Sequence, residues 1–168
     1  FMMQFQMHVN AAFGTDTRVL MIIDEAQRLN FALLEQVRLL SNIVSTVKRP
    51  LNIFLVGQKE LDDLLLDDRA KATRQRIVVR HKLEPLNLEE VTAYMYHRMQ
   101  VAGADRVIFM PDAIKAVALH ANGIPRAINV ICDQALLRGF KDNATVIDAK
   151  IINDCSAAKE LPQAAVEA

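Results

Sequence analysis

The sequence of 168 residues predicts an α/β domain built on a parallel sheet, followed by a small all-helical domain. Two short apolar runs are separated by one helical pattern, and parallel strands need such a crossover connection. Four helical patterns then follow with no strand pattern between them. With 52% hydrophobic residues, the chain has enough apolar material for one core of ordinary size and a small second domain.

The front part of the chain, residues 1–86, carries the strand patterns. Asn30 predicts a helix N-cap, because an asparagine side chain there can accept a backbone N–H of the first helical turn. Apolar residues then recur at helical spacing until Pro50 ends the pattern. The predicted elements are a helix at residues 1–13, a strand at 18–23, a helix from 31 to about 49, a strand at 51–56, a short helix at 60–66 and a strand from 77 to about 83.

The rear part, residues 87–158, predicts only helices. Asn87 with Glu90 three residues later is the pattern of a capping box. Pro111 and Pro125 each stand where a helix would begin, a position at which proline is tolerated. The predicted helices cover residues 87–101, 111–121, 125–140 and 148–158, and the Ala-rich residues 159–168 are expected to be a tail or linker.

Charge and hydropathy exclude some classes of protein. Lys plus Arg balances Asp plus Glu at 20 each, which argues against strong binding to nucleic acid or to an anionic membrane. The longest apolar run, Val19 to Ile23, is far shorter than the roughly 20 residues that cross a bilayer, so no direct membrane insertion is expected. Two cysteines without metal-ligand spacing indicate reduced thiols in the cytoplasm. Because the first residue is Phe, we expect the true N-terminus to lie upstream.

Two adjacent carboxylates, Asp24 and Glu25, follow the first predicted strand. Ligands collect at the carboxyl ends of parallel strands, so both acids are expected at the mouth of a site. One carboxylate can hold Mg²⁺, usually through water, while its neighbour polarises an attacking water. An apolar strand that ends in Asp-Glu is also found in purely structural settings, and this motif alone leaves both interpretations open.

Three polar residues next to the second and third predicted strands could take part in phosphate chemistry. Gln58 comes after the second strand and could touch a γ-phosphate or orient water; it could equally be a solvated turn residue. Arg74 and Arg76 precede the third strand and could neutralise charge on a neighbouring subunit's nucleotide. The alternative for both arginines is an exposed basic rim.

The segment from Gly123 to Arg126 opens a helix in the rear part. Pro125 occupies a first-turn position, and Arg126 follows it directly. A positive charge at a helix start is opposed by the helix dipole, so local stability does not explain Arg126, whereas a phosphate partner would. A plain interhelical turn with a solvent-facing arginine is the alternative.

Taken together, these motifs resemble Walker B, sensor 1, arginine finger and sensor 2 of the AAA-type ATPases, which are P-loop NTPases. The segments "IIDEAQRL", "LVGQKEL", "RQRIVVRHKLEPL" and "GIPRAINVICDQALL" are most similar to the general secretion pathway ATPase A group, GspA/ExeA. The similarity covers the chain up to about Ser156. The fold implied is part of an AAA-type nucleotide-binding domain over residues 1–86, followed by a helical lid domain over residues 87–158.

The resemblance also implies a function. The parent protein would be an ATPase that uses ATP and Mg²⁺ to assemble or energise a secretion or pilus apparatus, as a homo-oligomer in contact with envelope proteins at the cytoplasmic face of the inner membrane. The implied roles are Mg²⁺ binding for Asp24, water activation for Glu25, γ-phosphate sensing for Gln58, action in trans for Arg76 or Arg74, and nucleotide binding and reporting to the lid for Pro125 and Arg126.

One departure from the family concerns the phosphate-gripping loop. The family places a GxxxxGK[ST] motif ahead of the Walker B strand, and none of the five glycines here is followed by lysine. Backbone amides and the lysine of that loop supply most of the grip on phosphates, so the chain is expected to be inactive alone. In the family's sheet the strand of that loop lies between the sensor 1 strand and the strand after the finger, so we expect unpaired edges.

Three other functions compete with this one. A transposition helper ATPase that binds DNA and a transposase would have a similar sequence. A non-catalytic oligomerisation fragment would explain the missing loop. A helicase is disfavoured, because the second strand ends in Val56-Gly57-Gln58 rather than Ser/Thr-Ala-Thr.

Overall fold

A computed structural model of the chain describes residue 7, residues 19–43 and residues 51–157. The chain divides into two compact units, Phe1–His81 and Lys82–Ala168. Met7 is helical; the rest of the helix predicted at residues 1–13 and the tail predicted at residues 159–168 lie outside the described residues. The domain boundary predicted at residue 86 falls inside the second unit, where the Leu86 N–H donates to the Gly123 carbonyl at 2.9 Å.

The first unit contains the parallel sheet that the sequence predicts. Strand β1 (Leu20–Ile23) pairs in parallel with β2 (Asn52–Leu55), with Leu20 opposite Asn52 and Ile23 opposite Leu55. Helix α1 (Phe31–Ile43) lies between them in sequence. The Asn30 side chain accepts the Leu33 N–H at 2.9 Å, so the predicted N-cap of this helix is present.

The two faces of this sheet differ in burial. Along both strands, residues alternate between exposed and half-buried positions. Leu20, Ile22 and Phe54 are 51, 60 and 56% exposed, although strands of a parallel sheet are usually buried on both faces. Within the part of the chain that the structure describes, the sheet has two strands, so each has one edge without a strand partner.

The prediction of a third strand, from Ile77 to about Leu83, is wrong. Residues 77–87 form neither helix nor strand, and Val78 and Val79 are 94 and 79% exposed. A strand needs a neighbour for its backbone N–H and C=O groups, and a run of β-branched residues does not supply that neighbour.

Short helical elements complete the first unit. Helix α2 (Glu60–Leu66) was predicted with these bounds, and a 3-10 turn (Asp68–Ala70) and α3 (Lys71–Arg74) follow it. Leu61 and Leu65 of α2 are buried and form a small core cluster with Ala26. This cluster lies beside the point where β1 ends.

The second unit is all-helical, as predicted. Its helices are α4 (Leu88–Val101), α5 (Pro111–Ala121), α6 (Pro125–Lys141) and α7 (Ala149–Ala157). The predicted capping box of α4 is present: Asn87 Oδ1 accepts the Glu90 N–H at 3.0 Å, and Glu90 Oε2 accepts the Asn87 N–H at 2.9 Å. Pro111 and Pro125 begin α5 and α6, so the missing N–H of each proline leaves no helical hydrogen bond unmade.

One continuous core holds the four helices together. The buried residues come from every helix of the unit and from the bridge that pairs Phe109 with Ile147. The largest of them that are almost completely buried are Ile128, Ile152, Val91 and Val117. Among the described helices, none has both the length and the apolar character to cross a bilayer.

Candidate functional site

The candidate site lies where β1 and β2 end side by side. The Val56 N–H donates to the Ile23 carbonyl at 2.9 Å, and the Ala26 N–H donates to the Val56 carbonyl at 2.9 Å. Ala26 is 0% exposed and packs in the cluster with Leu61 and Leu65. Because Ala26 is anchored from two directions, the two acids just before it are held at the carboxyl end of the sheet.

Asp24 and Glu25 form a tight turn at the end of β1. Glu25 has φ 53° and ψ 37°, in the left-handed region that residues other than glycine rarely adopt. Asp24 Oδ1 accepts the Glu25 N–H at 2.8 Å, a bond that supports this turn. Both residues are exposed, so their carboxylates are open to a ligand from solvent.

Gln27 contacts both halves of the site. Its Nε2 donates to Glu25 Oε2 at 2.9 Å, and its Oε1 accepts the Gln58 backbone N–H at 3.3 Å. Glu25 Oε2 also lies 3.6 Å from Nε of Arg28, a pair whose side chains are 52 and 80% exposed. The exposed ion pair contributes little to stability, so the Gln27 amide is the better-defined partner of the Glu25 carboxylate.

Gln58 lies in the short connection between β2 and α2, after Val56 and Gly57. Its carbonyl accepts the Leu61 N–H at 2.9 Å, and its side chain is exposed. Asp24, Glu25 and Gln58 are therefore brought together at one end of the sheet, as the order of the elements predicts. Their assignment to magnesium, water and phosphate stays a prediction.

Arg74 and Arg76 have different surroundings. Arg74 is half-buried, and its Nη1 donates to the carbonyls of Leu65 and Leu66 at 3.0 and 2.7 Å. Those carbonyls are in the last turn of α2 and have no partner within the helix, so Arg74 caps α2. Arg76 is exposed and donates from Nη1 to Ser41 Oγ at 3.3 Å.

Pro125 and Arg126 belong to the second unit. Gly123 precedes them with φ +71°, and a Cβ at Gly123 would lie 2.7 Å from the Leu86 nitrogen. Glycine is therefore required there by both backbone conformation and space. Arg126 is the second residue of α6 and is exposed, and it makes no ion pair or side-chain hydrogen bond to the other described residues.

The donor set at the sheet end fits Mg²⁺ held mainly by water and phosphate oxygens. No cluster of three or more potential metal ligands occurs in residues 19–43 and 51–157, so a cage made entirely of protein ligands is absent from that part. Mg²⁺ usually keeps several waters and takes one or two carboxylates together with substrate phosphates. Asp24 retains a carboxylate oxygen beyond the one bonded to Glu25, which meets that requirement.

The cysteines take no part in this chemistry. Burial, followed by the nearby Asp133 charge, raises the pKa of the Cys132 thiol to about 12. The Cys132 thiol therefore stays protonated and is a poor nucleophile or metal ligand at neutral pH.

Comparisons with known proteins agree with this fold. A family profile described as an AAA domain matches residues 1–65. Solved structures with the same fold include a RuvB variant of Thermotoga maritima, with a TM-score of 0.66 and 16% identity over 91% of this chain and 49% of that one. Another is the ADP form of the ORC2 protein of Aeropyrum pernix, with a TM-score of 0.68 and 13% identity over 90% of this chain and 42% of that one.

The fold and the profile define the class: the chain has the AAA-type fold, with an α/β unit followed by a helical unit. A curated relative narrows this to a branch. General secretion pathway protein A of Aeromonas hydrophila is 41% identical over 133 residues, which are 79% of this chain and 24% of that protein. The chain belongs to the GspA branch and spans about a quarter of the length of this relative.

Proposed function

We propose that this chain supplies the hydrolytic residues of an ATPase that couples ATP binding and hydrolysis to the assembly or energising of a secretion or pilus apparatus. The observation that carries the proposal is the shared end of β1 and β2, where the Ala26 N–H and the Val56 carbonyl hold the two strand ends together at 2.9 Å. Glu25 and Gln58 follow these ends and are linked through one side chain, Gln27.

The chemistry follows from where the charges lie. Glu25 accepts the proton of the attacking water, and Gln58 contacts the γ-phosphate from the neighbouring strand end. Asp24 would hold Mg²⁺ through water, and the bound ion would neutralise charge that develops on the phosphate oxygens. These groups position and polarise the attacking water and the phosphate. Catalysis of phosphoryl transfer consists almost entirely of such positioning and charge stabilisation.

Arg76 is the better candidate for a group that acts on a neighbouring subunit. Two carbonyls occupy Nη1 of Arg74, and releasing that group would uncap α2. Arg76 is exposed, and among the described residues its side chain makes one long hydrogen bond, to Ser41. A guanidinium that acts in trans requires an assembly, so we propose a homo-oligomer in which Arg76 reaches the nucleotide of the next copy.

Pro125 and Arg126 complete the proposed nucleotide response. Proline fixes the first residue of α6, which holds the exposed Arg126 at the helix start. A phosphate contact by Arg126 would make the helical unit respond to the nucleotide that is bound.

The grip on the phosphates must come from outside these 168 residues, because the sequence has no GxxxxGK[ST] motif. We therefore propose that a preceding segment of the same polypeptide supplies it. The relative from Aeromonas, of which this chain matches 24%, is long enough to hold such a segment.

The test is ATP binding and turnover by this chain and by a version extended upstream. Turnover is expected only in the extended protein, and Glu25→Gln is expected to lower it about 10²- to 10⁴-fold while nucleotide still binds. Glu89→Gln makes the same chemical change at an exposed position of α4 and should leave turnover unchanged. An extended protein that binds nucleotide but never hydrolyses it would show instead a module for interaction or oligomerisation. Turnover that is indifferent to Glu25→Gln would show that this chain does not supply the hydrolytic carboxylate.

A further inference from the structure

We propose that Gln27 is a positioning residue that fixes the Glu25 carboxylate relative to the backbone of Gln58, and so links the two strand ends during hydrolysis. The inference rests on the proposed function, since it assigns Gln27 a part in the same site. Sequence reasoning did not single Gln27 out. The signals that mark it are a glutamine two residues after the acid and a glycine opposite it.

The hydrogen bonds of Gln27 fix the orientation of its amide. A carboxylate oxygen can only accept, so the atom near Glu25 Oε2 at 2.9 Å must be the amide nitrogen. A backbone N–H can only donate, so the atom near the Gln58 nitrogen at 3.3 Å must be the amide oxygen. One amide therefore satisfies both partners in one orientation only, and a flipped amide would satisfy neither.

Gly57 provides the space for this arrangement. Its φ is not positive, so backbone conformation does not require glycine there. A Cβ at this position would lie 2.7 Å from Gln27 Oε1 and 3.0 Å from Leu61 Cδ2. A side chain at position 57 would therefore displace the end of the Gln27 side chain from its present place beside the Gln58 N–H.

The contact matters because Glu25 has little else to hold it. Its side chain is 52% exposed, and its other partner, Arg28, is 80% exposed. Gln27 donates to Oε2, so Oε1 is the oxygen that would accept the proton of the attacking water. Losing the amide donor leaves the carboxylate free to rotate, and a misplacement of about 1 Å in a catalytic group can cost on the order of 10²-fold in rate.

The experiment uses the extended, hydrolytically active protein and two substitutions at the same position. Gln27→Glu keeps an oxygen for the Gln58 N–H but removes the donor to Glu25, and Gln27→Leu removes both contacts. Each is expected to lower kcat on the order of 10- to 100-fold while the Kd for ATP stays within about twofold. Gln36→Glu is the matched control on the exposed side of α1 and should leave both values unchanged.

A double-variant cycle separates positioning from a merely structural role. If Gln27 acts through the Glu25 carboxylate, Gln27→Leu will lower kcat no further in the Glu25→Gln background. If it only supports the fold, the same loss will appear in both backgrounds, and the inference is overturned. It is also overturned if the Gln27 variants turn over ATP at the original rate while Glu25→Gln does not. Indifference to Glu25→Gln itself would instead contradict the proposed function.

Discussion

The two units of this chain differ in how completely they bury their apolar side chains. The helical unit buries large side chains such as Ile128, Ile152 and Val117 to within a few per cent in one continuous core. The α/β unit has two small clusters among its described residues and exposes Ile22 and Phe54 on its sheet by 60 and 56%. The unit that carries the candidate hydrolytic residues is therefore the one whose apolar surface is less completely covered.

This contrast shows where stability and function are placed. Asp24, Glu25 and Gln58 lie just after strands, on short connections that depend on one buried alanine and a few hydrogen bonds. In the helical unit, a capping box and first-turn prolines favour the starts of the helices. The buried core then stabilises the packing of the helices against one another. Three predictions test this comparison, from the largest expected effect to the smallest.

The largest difference should come from trimming one apolar side chain in each unit. Ile128→Ala removes a residue that is 1% exposed and should lower the free energy of unfolding by about 2–5 kcal/mol. Phe54→Thr keeps a good strand former on the exposed sheet face and should cost less than about 1 kcal/mol. Urea denaturation followed by circular dichroism measures both losses. Tyrosine fluorescence reports the helical unit separately, because Tyr94 and Tyr96 are the only tyrosines and the chain has no Trp.

Equal losses for these two variants would break the comparison. They would mean that the exposed face of the sheet is covered in solution, or that the two units unfold as one.

Glycine substitutions sharpen the account of the start of α6. Gly123→Ala forces a side chain into a left-handed conformation and against the Leu86 backbone, which endangers the Leu86–Gly123 hydrogen bond. We expect a loss of about 2–3 kcal/mol in thermal or urea unfolding, from backbone strain and the lost bond together. Gly103→Ala, at φ +81° with open space around it, should show the strain alone, about 1 kcal/mol. Similar losses at both positions would show that contact with the Leu86 backbone adds nothing to the cost of a side chain at position 123.

The smallest effect concerns an ion pair of the α/β unit between exposed Arg69 and half-buried Asp67. Arg69 donates to both carboxylate oxygens of Asp67 and lies over the Phe31 ring, 3.9 Å from its centroid. The side-chain hydrogen bond from Arg69 is the main cause that lowers the pKa of Asp67 from 3.8 to about 2. Because the folded pKa is the lower one, the stabilisation is present above about pH 4 and is lost as the pH falls toward 2.

Thermal unfolding midpoints between pH 5 and pH 2 check this effect. The midpoint of the unsubstituted protein should fall more steeply below about pH 4 than that of Asp67→Asn, and the difference should shrink in high salt. Asp68→Asn removes a neighbouring charge without breaking these bonds and serves as the control. Parallel curves for the protein with Asp67 and the protein with Asn at that position would show that the pair contributes nothing.

Much of the fold could be predicted because its signals are local. The Asn87 capping box, the first-turn positions of Pro111 and Pro125 and the Asn30 cap depend on residues within one helical turn. The parallel pairing of β1 with β2 follows from the single helix between them. The strand predicted near Val78 failed because pairing depends on a distant partner that no local pattern supplies.

The candidate site divides in the same way. The sequence by itself determined that Asp24, Glu25 and Gln58 end neighbouring parallel strands, because carboxyl ends of parallel strands share one edge. Only the tertiary structure decided that Arg74 caps α2 while Arg76 stays exposed, and that Gln27 joins Glu25 to Gln58 over Gly57. Those contacts cross up to 35 residues of sequence or depend on which rotamer packing allows, and periodicity and spacing carry no information about either.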